Sequence, residues 1–312
     1  MKPIRLSDIN ESIFDIDLFI CAISFEQRCF SLLKNIDVQR LSNIWFTYNV
    51  NESEFFNDNI VTAQQYHSAS FVEFSTDDPL ITGKSLLAKF ESIAHVRNLV
   101  VDVSTFTHEG LLILFRFITL FKHKFDNVHM AYVGAKAYSI NEKNDNEKWL
   151  SKGTKSIRSI LGYPGILNPS QKNHLIILFG FESERTSKLI ENFEFDKVSI
   201  GIGPIDDSID SNHYQINRQR HIDLLEIYPF AETFEFSLTN PFDTKEQVSA
   251  QITRYKDHNT VITPLNNKLS SIGAALVAIE DPRVQLCYVR AHEYNYKGYS
   301  EPSDYCYIIK IF

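Results

Sequence analysis

Two short stretches of the sequence carry a glutamate and an arginine directly after an apolar run. "SFEQR" (24–28) follows one such run, and "GFESER" (180–185) follows another. A carboxylate at a helix start is either a capping group or an acid–base group. An arginine beside the free N–H groups of a helix start can bind an anion, or it can pair with the neighbouring glutamate. The two stretches therefore predict either a capped corner used twice or an anion site built twice.

Each half of the chain also contains a second polar turn. In the first half, Asp102 and Ser104 end an apolar run and are followed by His108 at a predicted helix start. The second half has Pro264, Asn266, Asn267 and Lys268 at the corresponding place, where the two asparagines offer amide donors and the lysine an ammonium donor. Such donors suit a phosphate or a base edge, but they are equally typical of a polar loop that caps a helix.

The elements around these turns alternate between strand and helix. In the first half we predict strands at 15–24, 42–50, 70–75, 97–104 and 126–134, and helices at 25–35, 81–94 and 108–121. In the second half we predict strands at 174–180, 196–203, 232–237, 259–264 and 283–291, and helices at 181–193, 211–227, 243–258 and 268–279. A last strand at 304–312 is expected to add at a sheet edge. This alternation predicts an α/β fold with mostly parallel, doubly wound sheets.

The two halves align with each other. Glu26 and Glu182 lie 156 positions apart, and so do "YVGAKAY" (132–138) and "YVRAHEY" (288–294). "NLVVDVS" (98–104) and "NTVITPL" (259–265) match at an offset of 161. We therefore predict two tandem Rossmann-like units related by internal duplication. Their expected ranges are 1–139 and 174–312, with a connecting segment at 140–173.

In a doubly wound sheet, ligands bind beyond the carboxyl ends of the strands, where the strand order reverses. The polar turns fall at that point in each predicted unit. The candidate ligand-binding residues are Ser24, Phe25, Arg28, Ser104, Gly180, Phe181, Glu182, Arg185, Gly203, Pro264, Asn266, Asn267, Lys268 and Tyr299. In this set Arg28, Arg185 and Lys268 would take phosphates, and Phe25 or Tyr299 would stack on bases.

Composition and charge narrow the class of protein. The formal net charge is −8, which argues against a surface that coats nucleic acid but leaves a local basic cleft open. The four cysteines form no CxxC pair and are expected to be reduced core residues. The longest apolar run, 110–121, is too short for a membrane span and contains Arg116. We expect a cytoplasmic protein without membrane association.

Common catalytic and metal motifs are absent from the sequence. It contains no GxSxG, no HExxH and no cluster of His and Cys at metal-ligand spacing. We therefore predict no metal site and no resident cofactor, and we keep a nucleotide as a possible ligand.

The stretch "VITPLNNKLSSIGAALVAIEDPRVQLCYV" with the later "YNYKGYS" (261–300) resembles the last strand–helix–strand of the SAVED domain and of the CRISPR-associated Rossmann-fold (CARF) domain. Pro264, Gly273, Tyr288 and Tyr299 carry this resemblance. It implies a sensor of cyclic oligonucleotides in bacterial antiviral defence, built from two CARF-like units. Most members of those families carry an effector domain, and we expect none in this sequence, so the resemblance also implies a separate effector or partner protein.

Three functions remain open from the sequence. The first is a nucleotide-binding sensor or scaffold with two related anion sites. The second is a glycosidase or phosphodiesterase acting on a nucleotide or nucleic acid, with Glu26 and Asp102 as an acid–base pair and His108 assisting. The third is a structural subunit of a defence complex that binds no small ligand.

Overall fold

The computed structural model describes residues 2–49 and 53–312, and the chain divides into two compact units. The first unit is Met1–Ile140 together with Tyr296–Phe312, and the second is Asn141–Asn295. Each unit contains one mostly parallel sheet whose strands alternate with helices along the chain. The predicted α/β class with two tandem Rossmann-like units is confirmed.

The elements have the following bounds in chain order. The first unit contains β1 (Ile4–Arg5), α1 (Ile9–Ser12), β2 (Leu18–Ile23), β3 (Ile44–Tyr48), α2 (Glu54–Ala63), β4 (Ala69–Glu73), α3 (Pro79–Ser92), β5 (Val96–Asp102), α4 (His108–Leu120) and β6 (Phe125–Tyr138). The second unit contains β7 (Ser151–Pro164), β8 (Lys172–Leu178), α5 (Ser183–Asn192), β9 (Lys197–Ile202), α6 (Ser211–Ile227), β10 (Glu232–Glu235), α7 (Pro241–Arg254), β11 (His258–Pro264), α8 (Lys268–Glu280) and β12 (Val284–Tyr294). The chain then returns to the first unit with β13 (Ser300–Lys310).

The two sheets have the same strand order. The first reads β13-β6-β5-β2-β3-β4, with β1 added outside β13, and the second reads β7-β12-β11-β8-β9-β10. In both, five parallel strands are followed at one side by a single antiparallel strand. The order reverses between β2 and β5 in the first unit and between β8 and β11 in the second. A ligand site of a doubly wound fold is expected at these two points.

The antiparallel strand is supplied differently in the two units, which changes the expected domain ranges. The first unit takes β13 from the end of the chain, whereas the second takes β7 from the segment before its parallel strands. Residues 140–173 therefore contain a sheet strand rather than a connection alone, and residues 296–312 belong to the first unit rather than the second. The expectation that the last strand adds at a sheet edge was wrong, because β13 lies between β1 and β6.

Local sequence explains the main elements. All six residues of β2 are buried, as expected for a central parallel strand that is covered on both faces. Several helices begin at side-chain caps: Asp78 accepts from Leu80 N–H before α3, Thr107 from Gly110 N–H before α4, and Asn267 from Ser270 N–H before α8.

The predicted α-helix at 25–35 is replaced by two 3-10 helices, Gln27–Phe30 and Leu33–Asn35. Residues 28–30 are all buried. At 3.0 residues per turn their side chains spread around the whole 3-10 helix, so protein covers this segment on every side.

Among residues 2–49 and 53–312, no helix is both long and apolar enough to cross a membrane.

Candidate functional site

The corner after β2 holds Glu26 and Arg28 in a buried ion pair. Ser24 Oγ accepts a hydrogen bond from the backbone N–H of Glu26 at 3.1 Å. Arg28 then donates from Nε and Nη2 to Glu26 Oε2, at 2.9 and 2.7 Å. The Ser300 hydroxyl donates to the same carboxylate oxygen at 2.7 Å. Arg28 is only 3% exposed, so its charge is neutralised inside the first unit.

Asp102 ends β5 and keeps one buried oxygen without a partner. Its Oδ1 accepts from the backbone N–H and the hydroxyl of Ser104, at 3.0 and 2.5 Å. Its Oδ2 has no hydrogen-bond partner, and the residue is 1% exposed. Burial raises the pKa of Asp102 to about 6, although the hydrogen bonds from Ser104 and the charge of Arg28 oppose the rise.

Val133 on β6 connects the two polar turns of the first unit. Its carbonyl oxygen accepts from Arg28 Nη1 at 3.3 Å, and its N–H donates to Ser104 Oγ at 2.8 Å. The predicted site residues Arg28, Ser104 and Asp102 are thus brought together, and apart from Asp102 Oδ2 their hydrogen bonds are made to the protein.

The predicted assisting residue, His108, is the first residue of α4 and is half-buried. The N-cap of that helix is the preceding residue, Thr107.

The predicted stacking aromatics of the first unit pack on each other. The Phe25 ring lies edge-on to Tyr296 and Tyr299, with ring centroids 4.7 and 5.4 Å apart. Tyr299 also lies edge-on to Tyr138 at 6.4 Å. Tyr299 therefore belongs to the first unit, beside Phe25, although its sequence position suggested the second.

Glu182 and Arg185 occupy the corresponding corner of the second unit. Glu182 is the N-cap residue of α5 but makes no side-chain capping bond. Its Oε1 accepts instead from the backbone N–H groups of Leu150 and Ser151, at 2.6 and 3.0 Å. Burial raises the pKa of Glu182, while these two bonds and the charges of Arg185 and Arg220 oppose the rise.

Only some of the donor nitrogens of the Arg185 guanidinium are hydrogen-bonded. Nη1 donates to the carbonyl oxygen of Val289 on β12 at 3.2 Å. Nε is buried and has no hydrogen-bond partner, although the residue is only 8% exposed. Because buried guanidinium donors are normally all paired, this Nε leaves one donor available at the start of α5.

The two corners are built on matching residues. Val133 and Val289, which accept from the two arginines, lie 156 positions apart, as do Glu26 and Glu182. Each glutamate also accepts from the first residue of the antiparallel strand, which is Ser300 on β13 or Ser151 on β7. The two corners differ at the arginine: Arg28 is bonded to its glutamate, whereas Arg185 donates to Val289.

In the second unit, the second polar turn packs against the first polar turn of the same unit. A Cβ at Gly180 would overlap the carbonyl oxygen of Leu265, and Asn266 Nδ2 donates to the carbonyl oxygen of Phe179. Asn267 caps α8 and donates from Nδ2 to Leu238 at 2.7 Å. These amides therefore hold the loops together at the switch point.

The remaining predicted residues lie around this turn. Pro264 ends β11 and is buried, Lys268 begins α8 and is half-buried, and Gly203 packs against Leu238. Thr263 stands where the first unit has Asp102, and it is fully buried.

Comparisons with known proteins give no identity. No family model matches the chain, and no curated protein matches it. Among solved structures, the cytoplasmic domain of a prokaryotic cation chloride cotransporter is similar over 91% of this chain and 99% of that chain, with 8% sequence identity and a TM-score of 0.25. A likeness this weak carries no argument.

Sequence reasoning missed two residues of α6 that pack on Phe181. The Arg220 guanidinium carbon lies 4.1 Å from the Phe181 ring centroid, and the His213 ring is stacked on that ring at 5.3 Å. Arg220 also donates to the carbonyl oxygens of Phe181 and Lys148, at 2.8 and 2.6 Å. The seven-residue spacing of 213 and 220 places both on one helix face, which was the available signal.

In the part of the chain that the structure describes, no group of three or more His, Cys, Asp or Glu side chains is arranged to hold a metal ion. The four cysteines are free and buried, in agreement with the expected core role.

Proposed function

We propose that this protein is a nucleotide-binding sensor or scaffold of a bacterial antiviral defence system. It binds a phosphate-containing ligand at the carboxyl ends of the parallel strands. The fold supports this proposal, because two Rossmann-like sheets place their polar turns at the points where doubly wound sheets bind ligands. The role in defence rests on the resemblance of residues 261–300 to the SAVED and CARF domains.

The observation that carries the proposal is the unpartnered Nε of Arg185. It lies at the start of an α-helix, where backbone N–H groups and the helix dipole favour an anion. A phosphate oxygen would supply the missing acceptor. Arg28 is less suited to bind a ligand, because Glu26 already neutralises its charge. We therefore assign the phosphate to the second unit, with Arg185 as its ligand and Lys268 as a second cation at the same edge.

The test is a thermal-shift panel on the whole chain. It contains cyclic dinucleotides, cyclic trinucleotides, NAD and ATP, with inorganic phosphate as the reference anion. A nucleotide that raises Tm in a concentration-dependent manner, well beyond inorganic phosphate, supports the proposal. Failure of every member to raise Tm contradicts it.

One observation favours the hydrolase alternative. Asp102 has an unpartnered oxygen and a pKa raised to about 6, as is usual for a general acid or base. Glu26 would be the second carboxylate. Turnover of a nucleotide that survives both Glu26→Gln and Asp102→Asn excludes this pair.

The buried networks are also compatible with a ligand-free structural subunit, since Glu26 and Glu182 each tie a corner to an antiparallel strand. Purification from the native host, with mass spectrometry of bound nucleotides and proteins, separates this alternative from the sensor. A partner protein recovered without any nucleotide favours the structural role.

A further inference from the structure

A second polar cluster lies in the second unit, near the amino ends of its parallel strands. His174 on β8 is fully buried, and its Nε2 lies 2.8 Å from the hydroxyl oxygen of Ser199 on β9. His258 begins β11, the strand on the other side of β8. The cluster is therefore at the opposite end of the sheet from Arg185.

Tyr255 packs over both histidines. Its ring centroid is 4.8 Å from the His174 ring and 5.6 Å from the His258 ring. Its hydroxyl donates to Glu232 Oε1. Lys197 Nζ lies 5.5 Å from the Tyr255 ring centroid. Tyr255 thus lies against the rings of both histidines.

The layer is incompletely satisfied. The Nδ1 atoms of His174 and His258 are both buried and have no hydrogen-bond partner. A buried polar atom left unpaired costs free energy of folding. Such a cost in a sheet core is expected where a residue is retained for a reason other than stability.

The first unit shows that this position does not need a polar layer. Leu18 lies 156 positions before His174, and it is a buried apolar residue of β2. In the second unit Leu175 pairs with Val198, and the equivalent pair of the first unit is Phe19 with Ile44. The next residue along each partner strand is Ser199 or Trp45, so these two residues correspond. Trp45 is also buried. The same topology is therefore built with an apolar core in one unit and with histidine and serine in the other.

We propose that the His174–Ser199–His258 layer is an acid-responsive device, in which protonation of His174 loosens the second unit while the first unit stays folded.

The groups around His174 resist its protonation. Burial, helped by the charges of His258 and Lys197 and opposed by Glu232, lowers the pKa of His174 to about 4. Groups from four elements surround His174. The strands contribute Ser199 and Lys197 from β9, Glu232 from β10 and His258 from β11. The end of α7 contributes Tyr255 and the neighbouring Arg254. Arg254 is paired with Glu232 at 2.9 Å, which weakens the attraction of that carboxylate for an imidazolium.

The sign of the effect follows from linkage. The folded-state pKa, about 4, lies below the unfolded value of 6.5. The unfolded chain therefore takes up the proton first, so stability is fully present above pH 6.5 and is lost as the pH falls toward 4. Between pH 7.5 and pH 5 this one group lowers the folding equilibrium constant of the second unit by about 30-fold.

Hydrogen–deuterium exchange of the whole chain at pH 7.5 and 5, corrected for intrinsic exchange rates, tests the proposal. We expect protection of β8 and β9 amides to fall by about 30-fold or more at pH 5, while β2 and β3 lose little. His174→Leu, which installs the residue type of Leu18, should remove about 30-fold of this loss. The remainder comes from His213 of the same unit, whose pKa burial also lowers to about 4. His67→Leu, at an exposed position of the first unit, is the matched control and should leave it unchanged.

An equal loss of β8 protection in His174→Leu and in the parent protein overturns the proposal. Should that variant not fold, an NMR titration of the His174 ring in the unaltered protein decides. A ring that titrates below pH 5 supports the device, and one that titrates at pH 5 or above overturns it.

Discussion

Arg28 donates two hydrogen bonds to a single carboxylate oxygen of Glu26, and both side chains are almost completely buried. The motif "SFEQR" therefore encodes a corner that neutralises its own charge. The matching corner of the second unit keeps the same residue types but directs Glu182 to backbone N–H groups. One duplicated motif thus gives a closed corner in the first unit and a partly unsatisfied arginine in the second.

The first prediction concerns the closed corner. Glu26→Gln removes the carboxylate that is paired with the buried Arg28, so we expect the free energy of unfolding to fall by about 3–5 kcal/mol. Urea unfolding followed by circular dichroism measures this loss.

Glu182→Gln is the matched control for that measurement. A glutamine oxygen still accepts from Leu150 and Ser151, so a loss of only about 1 kcal/mol is expected. Equal losses in the two variants would show that the Glu26–Arg28 hydrogen bonds contribute no more to the free energy of unfolding than the hydrogen bonds of Glu182.

The second prediction concerns Asp102. Its folded-state pKa, about 6, lies above the unfolded value of 3.8. The protonated carboxyl therefore stabilises the fold, and this stabilisation is complete below pH 3.8 and lost as the pH rises through about 6. The loss corresponds to roughly 3 kcal/mol.

Asp102→Asn cannot ionise, so its stability should not decline over that pH range, and at pH 7.5 it should equal or exceed the parent. The amide oxygen still accepts from Ser104. Urea unfolding at pH 4.5, 6 and 7.5 measures the difference between the two proteins. A parallel decline in both contradicts an ionising buried Asp102.

The sequence was sufficient to predict the architecture, because strand–helix alternation and the 156-residue match come from local patterns. It could not assign β13 to the first sheet. That pairing depends on contacts between Cys306 and Val133, which are distant in the chain. An apolar strand near the end of a sequence carries no signal for which of two similar sheets it joins.

The site was predicted less completely, for a reason visible in the arginines. Sequence placed Arg28 and Arg185 at equivalent corners, but the choice between an internal partner and a ligand depends on where the glutamate turns. The Glu26 carboxylate accepts hydrogen bonds from Arg28, whereas the Glu182 carboxylate accepts from a backbone N–H group just before β7. Two backbone N–H groups therefore decide what the motif alone leaves open.

The third prediction concerns the closure of the switch point in the second unit. Gly180→Ala places a methyl group against the carbonyl oxygen of Leu265, which is backbone and cannot rotate away. We expect a loss of about 3 kcal/mol in the free energy of unfolding, with lowered protection in β8. Gly134→Ala is the control, since a Cβ there meets no atom within 4 Å. A change near zero for both variants would mean that the loops separate easily.

The fourth prediction compares the duplicated arginines in ligand binding. Arg185→Lys keeps the charge but removes Nε and the planar fork, so affinity for a phosphate should fall by about tenfold or more. Arg28→Lys alters an arginine that is already paired with Glu26, and it should leave affinity unchanged. Isothermal titration with each nucleotide of the panel that raises Tm measures both variants, at a temperature where circular dichroism shows them folded. Loss of binding in Arg28→Lys with retention in Arg185→Lys would move the phosphate to the first unit. Unchanged affinity in both variants would show that neither arginine binds the phosphate.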